Sequence, residues 1–219
     1  PSNEIDAIPC ISIDDIHITE GSPNEIFTIR ITDPLAVDVQ LEYETFNGTA
    51  IKTKDFQYSK GLITIHAGDD SCLVMVPIVQ DAINEPDETF QLHIGDANAV
   101  NISDSVGICT IMDDGDAEPV LHLPSQFECD ENTPGGVINI PFSLSDESGY
   151  TITADYIISE ITATPGNDYS ADQTGSISFS PGQKTKTIAV DIINDDIFEP
   201  STEGYESFSI RFLNVQHAT

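Results

Sequence analysis

Apolar and polar residues alternate along much of the chain. Phe27, Ile29 and Ile31 keep every second position, as do Val37, Val39, Leu41 and Tyr43. So do Cys72, Val74, Val76 and Ile78, and then Phe90, Leu92 and Ile94. The period returns in Ile138, Ile140, Phe142 and Leu144, in Ile188, Val190 and Ile192, and in Phe208, Ile210 and Phe212. A period of two is that of a strand with one buried face. Many of these residues are Ile and Val, which are stiff at χ1 and pack well on a pleated surface. Turn signals separate the runs at Asp33-Pro34, Asn47-Gly48, Gly68-Asp69-Asp70, Ser148-Gly149 and Pro181-Gly182. Asn47-Gly48 reads as a hairpin turn, because both residues tolerate positive φ. No stretch holds apolar residues at helical spacing for long. Roughly seven short strands in each half predict an all-β chain built from antiparallel sandwiches of the immunoglobulin type.

The chain repeats itself. Asp55-Phe56 is echoed by Asp168-Tyr169, and the stretch from Gly61 to Gly68 by that from Gly175 to Gly182. Asp81 with Glu85-Pro86 is echoed by Asp195 with Glu199-Pro200, and Glu88-Thr89-Phe90 by Glu206-Ser207-Phe208. Upstream, Thr19-Glu20-Gly21 corresponds to Asp130-Glu131-Asn132. Five blocks in the same order define two tandem repeats, residues 1–117 and 118–219, joined near Ala117-Glu118-Pro119. The second repeat ends 11 residues past Phe208, whereas Asp113 lies 23 past Phe90. It is therefore expected to lack its last strand. The chain opens on Pro1, which suggests a piece of something larger.

Charge narrows the functions open to such a chain. Seven Lys and Arg stand against 38 Asp and Glu, a formal charge of −31. That excludes the usual nucleic-acid reader, which needs a basic face for phosphates, and argues against anionic membrane surfaces. The apolar run from Leu73 to Val79 is far shorter than the ~20 residues of a spanning helix. Four cysteines, Cys10, Cys72, Cys109 and Cys129, leave buried thiols and a single bridge equally open. No nucleophile elbow, Walker loop or His-Glu-x-x-His occurs, so no enzyme is expected. His17, His66, His93, His122 and His217 read as ordinary side chains on strands or strand ends.

The acids themselves are the candidate chemistry. In the first repeat Glu20 ends the first strand and Asp55 lies in a loop. Asp81, Glu85, Asp87 and Glu88 follow the fifth strand, and Asp113, Asp114 and Asp116 follow the last. In an up-down sandwich these ends can share one tip. A cluster of carboxylates there repels itself unless its protons return or a cation neutralises it. Many hard oxygens on loops suit calcium, which takes about 6–8 of them, better than magnesium or zinc. The alternative is a solvated acidic surface, the ordinary place for charged residues.

Glu20-Gly21, Gly48-Thr49-Ala50, Asp55-Phe56, the run from Asp81 to Phe90 and Ile111-Met112-Asp113-Asp114 together resemble the Calx-beta domain. That family is known from sodium–calcium exchangers, adhesion receptors and extracellular-matrix proteins. The resemblance covers nearly the whole chain as two copies and implies sandwiches with calcium in their distal loops. It carries ligand roles onto Glu20, Asp55, Asp81, Glu85, Glu88, Asp113 and Asp114. Asp116 is either a further ligand or a linker acid. In the second repeat the matching positions are Glu131, Asp168, Asp195, Asp196, Glu199 and Glu206. Calcium-rich members often carry two acids where this chain has Gln80-Asp81, so one or two ions are expected in the first repeat.

Two Asn-x-Ser/Thr sites, at Asn47 and Asn101, would carry glycans in a secreted protein. The reading drawn from all this is a calcium-binding structural and adhesion module of a larger extracellular or cell-surface protein. Its calcium would stiffen the joint between repeats, and another protein or a matrix component would be its partner. The alternatives are a cytosolic calcium sensor regulating a membrane transporter, and a calcium-independent spacer.

Overall fold

The computed structural model describes residues 8–22, 26–97, 100–194 and 206–219. Among them every regular element is a strand, and no helix is long and apolar enough to cross a membrane. The strands divide between two compact units.

The first unit holds β1 (Cys10–Ile13), β2 (Ile16–Thr19), β3 (Ile26–Ile31), β4 (Val39–Asn47) and β5 (Lys60–Ile65), followed by β6 (Ser71–Met75), β7 (Glu88–Gly95), β8 (Asn101–Ile102) and β9 (Val106–Met112). They form two sheets, ordered β6-β3-β1-β8 and β2-β9-β7-β4-β5. The first strand of the sandwich is split. β1 pairs antiparallel with β3, Ile11 opposite Ile31, and after Asp14-Asp15 the chain changes sheets. β2 then runs parallel to β9, with Ile18 opposite Ile111. The break is held on both sides: Asp14 accepts from Arg30 Nε (2.9 Å) and Asp15 from the Ile108 N–H (2.7 Å).

The alternating apolar residues meet between the two sheets. Ile11, Phe27, Ile29, Leu41, Phe90, Leu92 and Cys109 are fully buried. Each such large side chain contributes about 1.5–3 kcal/mol over an exposed one. Phe27 meets Phe90 edge-on, and Phe56 enters from a loop to stack on Phe90 with ring centroids 4.2 Å apart. Two expectations fail here. Val37 precedes β4 and is 62% exposed, because pairing with β5 begins only at Val39 opposite Ile65. Asn47-Gly48 closes no hairpin: Asn47 ends β4, and its partner β5 begins at Lys60.

The second unit holds β10 (Leu121–His122), β11 (Val137–Leu144), β12 (Ile152–Glu160), β13 (Tyr169–Ser170), β14 (Thr174–Phe179), β15 (Thr185–Ile192) and β16 (Phe208–Gln216). Its sheets run β10-β11-β15-β13 and β14-β12-β16. Its core gathers Ile138, Ile140, Phe142, Leu144, Ile152, Tyr169, Phe179, Ile188 and Val190. β16 is the counterpart of β7, but among the described residues it pairs with β12 alone. Among the described residues no counterpart of β9 flanks it. Phe208, Ile210 and Phe212 are accordingly half-buried, where Phe90 and Leu92 are fully buried.

All four cysteines are free thiols. Burial pushes the Cys72 thiol up to about 11.

A carboxylate centre at one end of the first unit

Strand pairing decides which acids meet. β2 and β9 are parallel, Thr19 opposite Met112, so they finish together. The Glu20 N–H continues that ladder to the Met112 carbonyl (2.8 Å). Glu20 thereby comes beside Asp113. Their carboxylate oxygens lie within 4.8 Å of each other. Glu20 is only 9% exposed.

A second group forms at the same end. β4 and β7 are antiparallel, Asn47 opposite Phe90, which sets the end of β4 beside the start of β7. The Ala50 N–H reaches the Thr89 carbonyl (2.9 Å), and the Thr89 N–H reaches Thr49 Oγ1 (2.8 Å). Oxygens of Asp55 and Glu88 lie within 4.8 Å of each other.

The loop that carries Asp55 is built by its own side chains. Asp55 Oδ2 accepts from the Ile51 N–H (2.6 Å), and the Thr53 N–H donates to the Phe56 carbonyl (2.8 Å). Phe56 plugs the core next to it. The segment between β6 and β7 is stitched to the loop by the Gln57 N–H on the Pro77 carbonyl (2.8 Å) and the Val79 N–H on the Asp55 carbonyl (2.9 Å). Two residues further, the Asp81 N–H donates to Glu20 Oε1 (3.0 Å). One short stretch thus ties both groups to the same frame.

Two ionised carboxylates this close repel by about 3 kcal/mol at an effective dielectric of ~20. The donor set is oxygen alone, with no imidazole or thiol in either group. That excludes the usual zinc chemistry and fits a hard cation taking several carboxylates. One nearly buried glutamate with a backbone N–H already on one oxygen is an oriented ligand rather than a solvated surface acid. The residues present therefore fit calcium. Within the first unit Glu20 and Asp113 would hold it on one side, and Asp55 and Glu88 on the other; Glu85 and Asp116 are half-buried and belong to the second unit.

The remaining expected ligands stand outside these groups. Asp81 is half-buried and contributes the N–H just described. Asp114 is exposed, and its Oδ2 accepts from the Gln80 side-chain amide (2.9 Å). That same amide also donates to the Asp81 carbonyl (2.8 Å).

In the second unit Asp168 repeats the Asp55 turn. It caps the Thr164 N–H, and the Gly166 N–H donates to the Tyr169 carbonyl (2.8 Å). Glu131 is exposed, with no β9 counterpart described beside it to draw it inward. Glu206 is half-buried at the approach to β16. Asp195, Asp196 and Glu199 lie outside the described residues. Among the described residues of this unit no group of three acids gathers. Asn47 and Asn101 are both exposed; Asn47 Oδ1 accepts from the Lys52 N–H (3.0 Å).

The model of the Calx-beta domain matches residues 6–115 and, a second time, residues 123–218. The chain belongs to the Calx-beta family. It is 26% identical over 196 residues to sodium/calcium exchanger 1 of Canis lupus familiaris, covering 78% of this chain and 19% of that protein. It is also 26% identical over 182 residues to sodium/calcium exchanger 2 of Homo sapiens, covering 73% and 19%. This Calx-beta tandem thus spans about a fifth of the length of the curated relatives it matches. Among solved structures, the calcium binding domain CBD12 of CALX1.1 is matched over 95% of this chain and 82% of that one. The identity is 20% and the TM-score 0.47.

Proposed function

We propose that this Calx-beta tandem is the calcium-binding, regulatory segment of a sodium/calcium-exchanger-type transporter, exposed to the cytosol. It works by binding, not by catalysis. The observation that carries the reading is the meeting of Glu20 with Asp113, and of Asp55 with Glu88, at one end of the first unit. The curated relatives named above are exchangers, which favours a sensor over the expected adhesion module. The Asn47 and Asn101 sites lend an extracellular home mild support, and the relatives add nothing to it. It remains the second reading because both asparagines are exposed.

Affinity separates the two. A sensor needs dissociation constants of about 10⁻⁷–10⁻⁵ M, whereas extracellular modules work at about 10⁻⁴–10⁻³ M. Calorimetric titration of the chain with calcium, after stripping with chelator, is expected to give the tighter class. Millimolar binding would move the module outside the cell, and no heat at millimolar calcium would overturn the function.

A further inference from the structure

We infer that Asn47 is a site of spontaneous covalent modification: the Gly48 amide closes on its side chain, ammonia leaves, and water opens the ring to aspartate or isoaspartate. The inference is independent of calcium. Asparagine or aspartate followed by glycine is the pair most open to this ring closure, because glycine has no side chain to block the approach. The chain holds one of each, Asn47-Gly48 and Asp114-Gly115. Glycine at 48 is imposed by the fold, since a Cβ there would fall 2.3 Å from the Thr89 carbonyl oxygen. No bulkier neighbour can therefore shield Asn47.

The two pairs differ in what holds their reacting atoms. Asn47 is exposed and ends the β4–β7 ladder opposite Phe90. Beyond it the Thr89 carbonyl accepts from the Ala50 N–H (2.9 Å), which leaves the Gly48 N–H without a partner among the described residues. Asn47 Oδ1 accepts from the Lys52 N–H (3.0 Å). That backbone donor sits on the oxygen that gains charge when a nitrogen attacks Cγ. At the other pair the Gly115 N–H is held by Asp113 Oδ2 (2.9 Å), and Asp114 Oδ2 by the Gln80 amide (2.9 Å). Its attacking nitrogen is thus occupied, and freeing it costs a hydrogen bond. In the first step at Asn47 the Gly48 nitrogen bonds to Cγ, the Cγ–Nδ2 bond breaks, and the amide proton departs with the ammonia. Water then adds to Cγ, giving aspartate, or to the Asn47 main-chain carbonyl, giving isoaspartate with Gly48 attached through Cγ. The isoaspartyl form carries one extra atom in the main chain where β4 leaves for the Asp55 loop.

The test is incubation of the folded chain at pH 8 and body temperature, followed by peptide mass mapping and by enzymatic methylation of isoaspartate. The peptide holding Asn47 is expected to gain the mass of deamidation, and isoaspartate with it, at least tenfold faster than those holding Asn101, Asn167 or Asn214, which are also exposed. Asn47→Ser should remove the change. Asp114 should stay free of isoaspartate in the folded chain and acquire it in guanidinium chloride, where Asn47 converts as well. Conversion of Asn47 in the denaturant but not in the folded chain, or no faster than at the other three asparagines, would overturn the inference. So would isoaspartate at Asp114 matching that at Asn47 in the folded chain.

Discussion

Thr53 adopts φ 75°, a conformation in which a β-branched side chain is strained. In the second repeat the same turn position is Gly166, φ 88°, where no Cβ has to be accommodated. Thr53→Gly is therefore expected to stabilise the first unit by about 0.5 kcal/mol, the relief of strain exceeding the entropy glycine adds to the unfolded chain. Gly166→Ala should destabilise the second unit by about 1–2 kcal/mol. Chemical unfolding of both variants checks the pair, and a loss from Thr53→Gly would contradict it. Cys72 supplies a pH prediction. Its thiol is raised to about 11 by burial, above its unfolded value, so the folded state keeps it neutral. Its contribution to stability is complete below the unfolded thiol range near 9 and is lost as pH rises through about 11. Unfolding midpoints followed from pH 8 to 11 should fall less steeply in Cys72→Ala.

At the scale of elements, the site depends on how strands pair. Parallel pairing of β2 with β9 places Glu20 by Asp113, and the β4–β7 ladder places the Asp55 loop by Glu88. Phe56 fixes that loop through its stack on Phe90. Phe56→Ala should cost about 3–5 kcal/mol and weaken calcium binding as well, because Asp55 loses its anchor. Glu88→Gln keeps the fold and should weaken calcium alone. Melting in EDTA beside calorimetry separates the two effects; calcium affinity untouched in both variants would remove Asp55 and Glu88 from the site. Alternation along Phe27–Ile31 and Phe90–Ile94 made these strands and their buried faces legible. Alternation carries no information about partners, however. Val37 keeps the period but lies beyond the ladder, and Phe208, Ile210 and Phe212 keep it on a strand with a single described neighbour. The same limit applies to the acids. Asp113 and Asp114 are equivalent on paper, but strand direction sends one to Glu20, and Gln80 takes the other. Only the distance between Gln80 and Asp114, separated by 34 positions, reveals that amide's part.

At the scale of the whole molecule, two repeats of one design divide their labour. In the first, Glu20 meets Asp113 and Asp55 meets Glu88, while the second's own described residues form no group of three acids. Both keep the Asp-aromatic turn, Asp55-Phe56 and Asp168-Tyr169, with Tyr169 packed on Phe208 as Phe56 is on Phe90. The turn is therefore part of the fold. With a formal charge of −31, the chain also repels itself throughout, so salt should stabilise it modestly even without calcium. Specific binding is distinguished from that screening by saturation at low concentration.

The most direct test of the central claim is thermal unfolding in EDTA against calcium titrated to saturation, with equal magnesium as the control for screening. A ligand at 100 times its dissociation constant adds about 2.7 kcal/mol, which is several degrees for a unit of this size. The expected result is a saturating rise with calcium that magnesium does not reproduce and that Glu20→Gln with Asp113→Asn abolishes. Superimposable melting curves in EDTA and calcium, or equal rises with both metals, would show that these carboxylates are only acidic surface.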